Sequence, residues 1–424
     1  MQTHTTTVIT GMGIISAIGD NLTSFSNSLR LGTSGIKHVF PTSKPTLSVN
    51  IASTIQDFSF LEKLKKLNNI PEEKLTKAKR LGQRAPFVIQ TTILAALQAW
   101  EQAGLFEATT SPERIGLIIA GQNSTQNYQY HLISQFQENP EYLSPRYALE
   151  FLETNQVGIL SELFDIEGEG IVVGGASATG NVGIIKGHQL IQLGTVDVCL
   201  VVGVVADLSP LDVQGFINIG AMGGKKYIDR PEKACRPFDK KHEGFIYGQA
   251  SASVLLESET SATNRNISPL AAIKGYGFNL DKNSSANPNM DGEVKAMRSA
   301  LSSSKLAVTD IDYINTHGSS SPLGDKTEAD AIYEVFSKHT ANVVLNATKG
   351  LTGHCLYTAG LVEAIATVLQ MQEGFMHPNI NLETPIRNDL LFCGNEAVDY
   401  QANIAMTNSF GFGGINTSIV LEKK

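Results

Sequence analysis

Cysteine is scarce in this chain: Cys199, Cys235, Cys355 and Cys393 are the only four in 424 residues, and none stands in a CxxC pair. That spacing excludes a disulfide framework and a zinc-binding cluster, so no metal is expected. Long basic runs are also missing. With 33 Lys and Arg against 41 Asp and Glu, the net charge is −8 and the pI about 5.6, which argues against direct nucleic-acid binding. No apolar run is long enough for a membrane span, and Met1-Gln2-Thr3-His4-Thr5 lacks the basic and apolar character of a leader, so a cytoplasmic protein is expected. Hydrophobic residues, by contrast, make up 42% of the chain. That is enough for a large core, as two or three domain-sized units or as one pseudo-symmetric fold.

Short β-branched runs alternate with longer helical patterns, which predicts βαβ units and a buried, mostly parallel sheet. Strands are expected over Thr7–Thr10, Ile115–Ala120, Gly170–Val173, Val198–Val204 and Ala252–Leu256, then over Ala271–Tyr276, Val343–Leu345, Ile404–Thr407 and Thr417–Leu421. Helices are expected over Ala85–Ala103, Val182–Leu193, Gly292–Ser303, Lys326–Phe336 and Ala359–Gln372. The pattern divides into two halves, 1–260 and 261–424, across the polar stretch Glu257–Pro269, which reads as a surface linker. Pro41–Arg80 reads as an insertion capping the first half, and Asn123–Pro145 as a second, irregular insertion.

Four short runs carry the chemistry. Gly174-Gly175-Ala176-Ser177-Ala178-Thr179-Gly180-Asn181 joins a strand to a helix, and a side chain in such a turn stands at a helix N-terminus, where negative charge is favoured. Alone, the octapeptide is equally a small-residue turn that packs a helix against a sheet. Asn315-Thr316-His317-Gly318-Ser319-Ser320-Ser321-Pro322-Leu323-Gly324-Asp325 sets a histidine at a strand end, followed by hydroxyls. Such an imidazole can donate Nε2–H into a pocket, or can be structural. Asn346-Ala347-Thr348-Lys349-Gly350-Leu351-Thr352-Gly353-His354-Cys355 repeats the arrangement, with Glu363 in the following helix as a possible buried partner of Lys349. Asn408-Ser409-Phe410-Gly411-Phe412-Gly413-Gly414 is a glycine-rich loop in which backbone can approach a ligand and Phe412 can swing.

In this order, together with Val8-Ile9-Thr10-Gly11-Met12-Gly13, Arg236-Pro237-Phe238-Asp239 and Pro378-Asn379-Ile380-Asn381-Leu382-Glu383, the runs resemble the β-ketoacyl-acyl-carrier-protein synthases of the thiolase superfamily, elongating type, over nearly the whole chain. The resemblance implies an α/β, five-layered αβαβα fold of two duplicated halves and a homodimer. It implies no bound cofactor; the phosphopantetheine arm belongs to the acyl carrier protein that brings the substrate. Carried over by position, Ser177 matches the nucleophile, His317 and His354 the catalytic pair, and Lys349, Glu363 and Asp325 supporting groups. Ser319 and Ser321, threonines in most relatives, match the residues that hold the arm. Phe412 matches the gating aromatic, beside Phe410 and Gly413, and the N–H groups of Ser177 and Phe412 match an acyl oxyanion hole.

The departures decide the expectation. The family loads its acyl group on a cysteine thiolate, but position 177 offers a hydroxyl, which a helix dipole does not ionise and which needs a general base. Gly174-Gly175 and Gln249 also differ from the usual pattern. What remains is decarboxylation of a malonyl thioester, with His317 and His354 holding the carbonyl oxygen as charge develops. The expected product is acetyl-carrier protein, as in free-standing serine relatives of polyketide β-branching. Three alternatives stand beside it: a non-catalytic partner resembling a chain-length factor, a condensing enzyme or acyltransferase that uses Ser177 as nucleophile, and a catalytically silent binding module. For the acidic carrier protein, Lys65, Lys66, Arg80 and Arg84 are candidate contacts.

Overall fold

The computed structural model describes residues 5–39 and 47–424. The start of the predicted Pro41–Arg80 cap, up to residue 46, lies outside them. Eleven strands form the main sheet: β1 (Thr7–Ser16), β2 (Ile115–Ala120), β3 (Gly170–Val173), β4 (Val198–Gly203), β5 (Ala250–Ser258), β6 (Ala271–Leu280), β7 (Tyr313–Asn315), β8 (Val344–Asn346), β9 (Leu391–Phe392), β10 (Ile404–Gly411) and β11 (Ile415–Lys423). The principal helices are α1 (Phe87–Gln102), α2 (Gln126–Glu138), α3 (Thr179–Gln192), α4 (Met290–Ser304), α5 (Pro322–Phe336) and α6 (Ala359–Glu373).

The strand order β9-β8-β7-β10-β11-β6-β1-β5-β4-β2-β3 contains one pattern twice. Counted outward from the centre, β1-β5-β4-β2-β3 is matched by β6-β11-β10-β7-β8, with antiparallel and parallel pairings in the same places. The half-sheets meet where Thr7, Val8 and Ile9 of β1 pair with Ile273, Ala272 and Ala271 of β6. Helices α3 and α6 pack between them, α1 covers the first half and α4 with α5 the second, giving five alternating layers. Strands β1, β2 and β4 are buried along their whole length, and for β2 and β4 that is why they read as nearly continuous apolar runs.

The predicted strands and helices all form, some with shifted ends. Helix α1 starts after Pro86, whose ring suits a helix start. Helix α5 starts four residues before the predicted Lys326, with Pro322 in its first turn, so Asp325 is helical and not part of the loop. Four other expectations fail. The sheet is not mostly parallel: five of its ten strand pairings are antiparallel, all at the centre from β10 to β4, where the short turn between Gly411 and Ile415 folds β11 back on β10, a connection too short for a parallel crossover. Glu257–Pro269 is no free linker: Glu257 and Ser258 end β5 in the buried interior, a helix spans Glu259–Asn264, and the Glu257 carboxylate is held by Arg265 at 2.9 Å and by Ser261 at 2.7 Å. These polar residues satisfy one another instead of facing water. Asn123–Pro145 holds the 13-residue helix α2. The described end of the cap contributes helices Phe60–Lys65 and Glu72–Gly82, whose Phe60, Leu64 and Ala78 join the core under α1.

At the centre, α3 and α6 cross on glycine. A Cβ on Gly180 would stand 2.5 Å from Leu361 N, and one on Gly360 would stand 2.7 Å from Asn181 N, so neither position has room for a side chain. Gly180→Val is therefore expected to cost about 3 kcal/mol of stability by overpacking. Chemical denaturation followed by circular dichroism measures it, and an unshifted midpoint would show that the crossing can open at no cost.

Candidate active site

Ser177 sits on the turn that joins β3 to α3. The turn closes through Ala178 N–H donating to Gly175 O at 2.9 Å, and it forces Ala176 to φ 48°. A non-glycine residue in that left-handed region carries about 1–2 kcal/mol of strain. The strain raises Ser177 into a cavity of about 510 Å³ at the N-terminus of α3. Gly411 closes the other side of the elbow: its Cβ would lie 2.4 Å from Gly175 O and 3.3 Å from Ser177 N, so only glycine lets the Phe412 loop reach it.

The cavity brings together Ser177, His317, His354, Ser319, Ser321, Phe410 and Phe412 from both halves of the fold. The two imidazoles meet edge to face with ring centroids 5.6 Å apart, and Phe410 lies 5.8 Å from His317. Ser319 and Ser321 share a hydrogen bond of 2.8 Å between their hydroxyls. Phe412, 37% exposed, stands at the mouth. Gly413 does not line the cavity; at φ 82° it turns the loop and donates to Ser285 O at 3.2 Å.

Lys349 and Glu363 lie behind the histidines, each 1% exposed. The ammonium has three N–H groups and all three are used: one donates to Glu363 Oε1, one to the carbonyl of His317 and one to His317 Nδ1 at 3.3 Å. With Nδ1 accepting, the His317 proton must sit on Nε2. The same holds for His354, whose Nδ1 accepts the Leu356 N–H at 3.0 Å. Burial, and after it the Lys349 charge, holds both imidazoles well below the usual histidine range, so both are neutral at pH 7. Burial raises the Glu363 carboxyl to about 7 even though Lys349 draws it down.

Asp325 works further out. Its carboxylate accepts Ser320 N–H at 3.0 Å and Phe238 N–H at 2.7 Å and pairs with His242 at 2.8 Å, tying the serine loop to the Arg236–His242 segment. Burial raises its pKa. A residue not anticipated from sequence does the equivalent for His317: buried Glu328 accepts the N–H groups of His317 and Gly318, each at 2.8 Å. Burial pushes this carboxyl up to about 7. Its spacing of three from Asp325 on α5 places both on one helix face, the one signal that could have found it.

The remaining departures are explained locally. A side chain at position 174 would meet Oε1 of Gln122, a cavity residue, at 2.0 Å. Gln249 lies away from the cavity and donates to Asp207 at 3.4 Å and to Tyr247 at 3.0 Å, where a glutamate would face the Asp207 carboxyl. Of the suggested basic contacts, none lines the cavity. Lys66 borders a separate cleft with Asn21 and Gln98, and Arg80 pairs with Glu162.

Residues 5–262 match the family model "Beta-ketoacyl synthase, N-terminal domain", and residues 270–383 match "Beta-ketoacyl synthase, C-terminal domain". This chain belongs to the β-ketoacyl synthase family. It is 34% identical over 415 residues to "Polyketide biosynthesis malonyl-ACP decarboxylase PksF" of Bacillus subtilis (strain 168), covering 98% of this chain and 96% of that one. To "3-oxoacyl-[acyl-carrier-protein] synthase 2" of Coxiella burnetii (strain RSA 493 / Nine Mile phase I) it is 31% identical over 424 residues, covering 98% of each. Among solved structures, "The ishigamide ketosynthase/chain length factor" superposes with a TM-score of 0.86 at 27% identity, over 99% of this chain and 100% of that chain. A β-ketoacyl synthase from Burkholderia phymatum STM815 superposes with a TM-score of 0.84 at 25% identity, over the same shares. No helix among the described residues is long and apolar enough to cross a membrane.

Within this β-ketoacyl synthase, the site presents two fixed Nε2–H donors and a hydroxyl that neither imidazole can deprotonate, because each Nδ1 is already accepting and each Nε2 carries a proton. Nitrogen-15 NMR of the two histidines is expected to show neutral Nε2–H tautomers from pH 6 to pH 8. Burial holds both folded-state pKa values well below the free value of 6.5, which leaves both rings uncharged over that window, and titration of either ring within it would break the tautomer assignment.

Proposed function

We propose that this protein decarboxylates a malonyl group carried as a thioester on the phosphopantetheine arm of an acyl carrier protein. The arm lies along Ser319 and Ser321, and the thioester oxygen accepts Nε2–H from His317 and His354. The bond between C2 and the carboxylate breaks, CO2 leaves, and the electron pair delocalises onto the thioester oxygen as an enolate. Water then protonates C2, leaving acetyl-carrier protein. The two neutral, oppositely seated histidines carry this reading, since each donor aimed at developing charge contributes roughly 3–4 kcal/mol. The serine at position 177, without a base, makes an acyl-enzyme unnecessary and unfavourable. The name of the Bacillus subtilis relative, a polyketide biosynthesis malonyl-ACP decarboxylase, supports the same chemistry; on this reading the acetyl-carrier protein feeds β-branching.

The partners follow from the surface. Lys226, 74% exposed in its side chain, pairs at 3.6 Å with Glu243 of the cavity lining, and Lys326, 70% exposed, stands one helical turn after Leu323 of the lining and pairs with Asp330; both suit an acidic carrier protein. A second copy of the chain suits the far edge of the sheet. Strand β3 is the last strand there, with Gly170 exposed and Ile171, Val172 and Val173 only half-buried, so pairing across that edge would cover it. The likeness to a ketosynthase/chain length factor favours a second reading, a non-catalytic partner subunit, but that role does not call for an intact Lys349–His317–His354 network.

Incubating the purified protein alone with malonyl-carrier protein is expected to release CO2, seen by intact mass spectrometry of the carrier. Ser177→Ala should keep most of that rate, whereas His317→Ala or His354→Ala should lower it by about two orders of magnitude. A dead Ser177→Ala with mild histidine variants, or an acyl adduct on the Ser177 peptide, would overturn the mechanism. Sedimentation velocity at micromolar protein should report a dimer; a monomer that still releases CO2 would remove the pairing of β3 edges from the reading.

A further inference from the structure

The internal duplication sets a second elbow opposite the first. Ala176-Ser177-Ala178 and Leu356-Tyr357-Thr358 are both single 3-10 turns, each directly ahead of a central-layer helix. Ala176 has φ 48° and Leu356 has φ 49°. Each turn closes alike, Ala178 N–H to Gly175 O at 2.9 Å and Thr358 N–H to Cys355 O at 3.2 Å. Tyr357 is thus the counterpart of Ser177 in the second half, and both residues line the same cavity. The first elbow presents a hydroxymethyl group and the second a phenol ring.

The surroundings of that ring are mainly apolar, with the Asp212 and Glu153 carboxylates near enough to act on its hydroxyl. Tyr357 packs against the cluster that contains Leu356, Leu208 and Val213, beside Phe216. Phe216 stacks edge-on against Phe245 at 5.4 Å, and Phe245 against His354 at 5.3 Å. The cavity therefore has a polar wall, with Ser319 and Ser321, and an apolar wall made by Phe216, Ile219, Leu356 and Tyr357. A substrate arm rich in amides occupies the polar wall. A hydrocarbon chain attached at position 177 would have to lie along the apolar one, where a side chain as large as tyrosine takes the space.

We infer that Tyr357 is a specificity-determining residue that fills the acyl side of the cavity and limits it to two- or three-carbon groups. The inference rests on the proposed decarboxylase reading, which needs room for a malonyl unit only, and it adds a second barrier to chain extension, independent of the missing thiol. Restoring the sulfur would then not restore elongation of longer acyl chains.

The test uses Ser177→Cys in the full-length protein, with acetyl- and octanoyl-N-acetylcysteamine thioesters as probes. Acylation of Cys at 177 is read by peptide mass spectrometry. Ser177→Cys is expected to take acetyl at least tenfold faster than octanoyl. Adding Tyr357→Ala should bring the two rates within about threefold, while adding Tyr357→Phe, which keeps the ring and removes the hydroxyl, should leave the preference in place. Tyr357→Val, with a smaller loss of bulk, carries the same comparison where the alanine variant fails to fold. Equal acylation by both probes in Ser177→Cys, a preference unmoved by either truncation, or no acylation by acetyl at all would overturn the inference. The decarboxylase reading is judged separately, by CO2 release from the unaltered protein, so one can fail without the other.

Discussion

The Lys349 ammonium is the constraint on which the site depends. Buried with Glu363, it spends its three N–H donors on that carboxylate, on the carbonyl of His317 and on the Nδ1 of His317. A buried ion pair by itself adds little stability, because desolvation offsets the attraction, while losing one partner costs about 3–5 kcal/mol. Its value here is orientation. It fixes the backbone, the ring and the tautomer of His317 together, and its charge helps keep both histidines neutral. Glu328, accepting the N–H groups of His317 and Gly318, holds the same residue between a buried carboxyl group and the Lys349 ammonium.

That arrangement separates two halves of one chemistry. Stabilising an enolate needs donors held rigidly at one oxygen, and in the proposed reaction the histidine pair, already fixed by its Nδ1 partners, is what supplies them. Forming an acyl-enzyme needs an ionised nucleophile, which Ser177 is not. The elbow keeps the geometry of a nucleophile position, including the strained Ala176, without the acidity that would use it. The duplicated fold places a second strained turn, at Leu356, beside the first, and the residue after it, Tyr357, lines the same cavity.

Much of this was legible in the residues. Strands β2 and β4 stood out because parallel strands buried on both faces are unbroken apolar runs. The site positions stood out because glycine and small residues gather where backbone turns tightly beside a reacting group. Helix α2 did not stand out, since its Gln, Asn and Tyr residues mimic a loop and none of its side chains is buried to give a clear apolar stripe. The Glu257–Pro269 stretch was misread because Glu257 and Arg265 look solvated until their pairing is known. Glu328 was invisible for the same reason: a glutamate on a helix reads as surface.

By itself the sequence determined that an oxygen stands at position 177, that two histidines and a lysine follow strand ends, and that the order of motifs is that of a β-ketoacyl synthase. Those are matters of atom identity and chain spacing, which no folding can alter. Only the tertiary structure decided which nitrogen of each histidine carries the proton, because the partners of Nδ1, Lys349 and the Leu356 N–H, depend on backbone and side-chain positions that spacing does not specify. It also decided that Tyr357 shares a cavity with Ser177. Those two residues are far apart in the chain and adjacent in function only because α3 and α6 cross at Gly180 and Gly360, where the lack of a side chain lets the two halves close on each other.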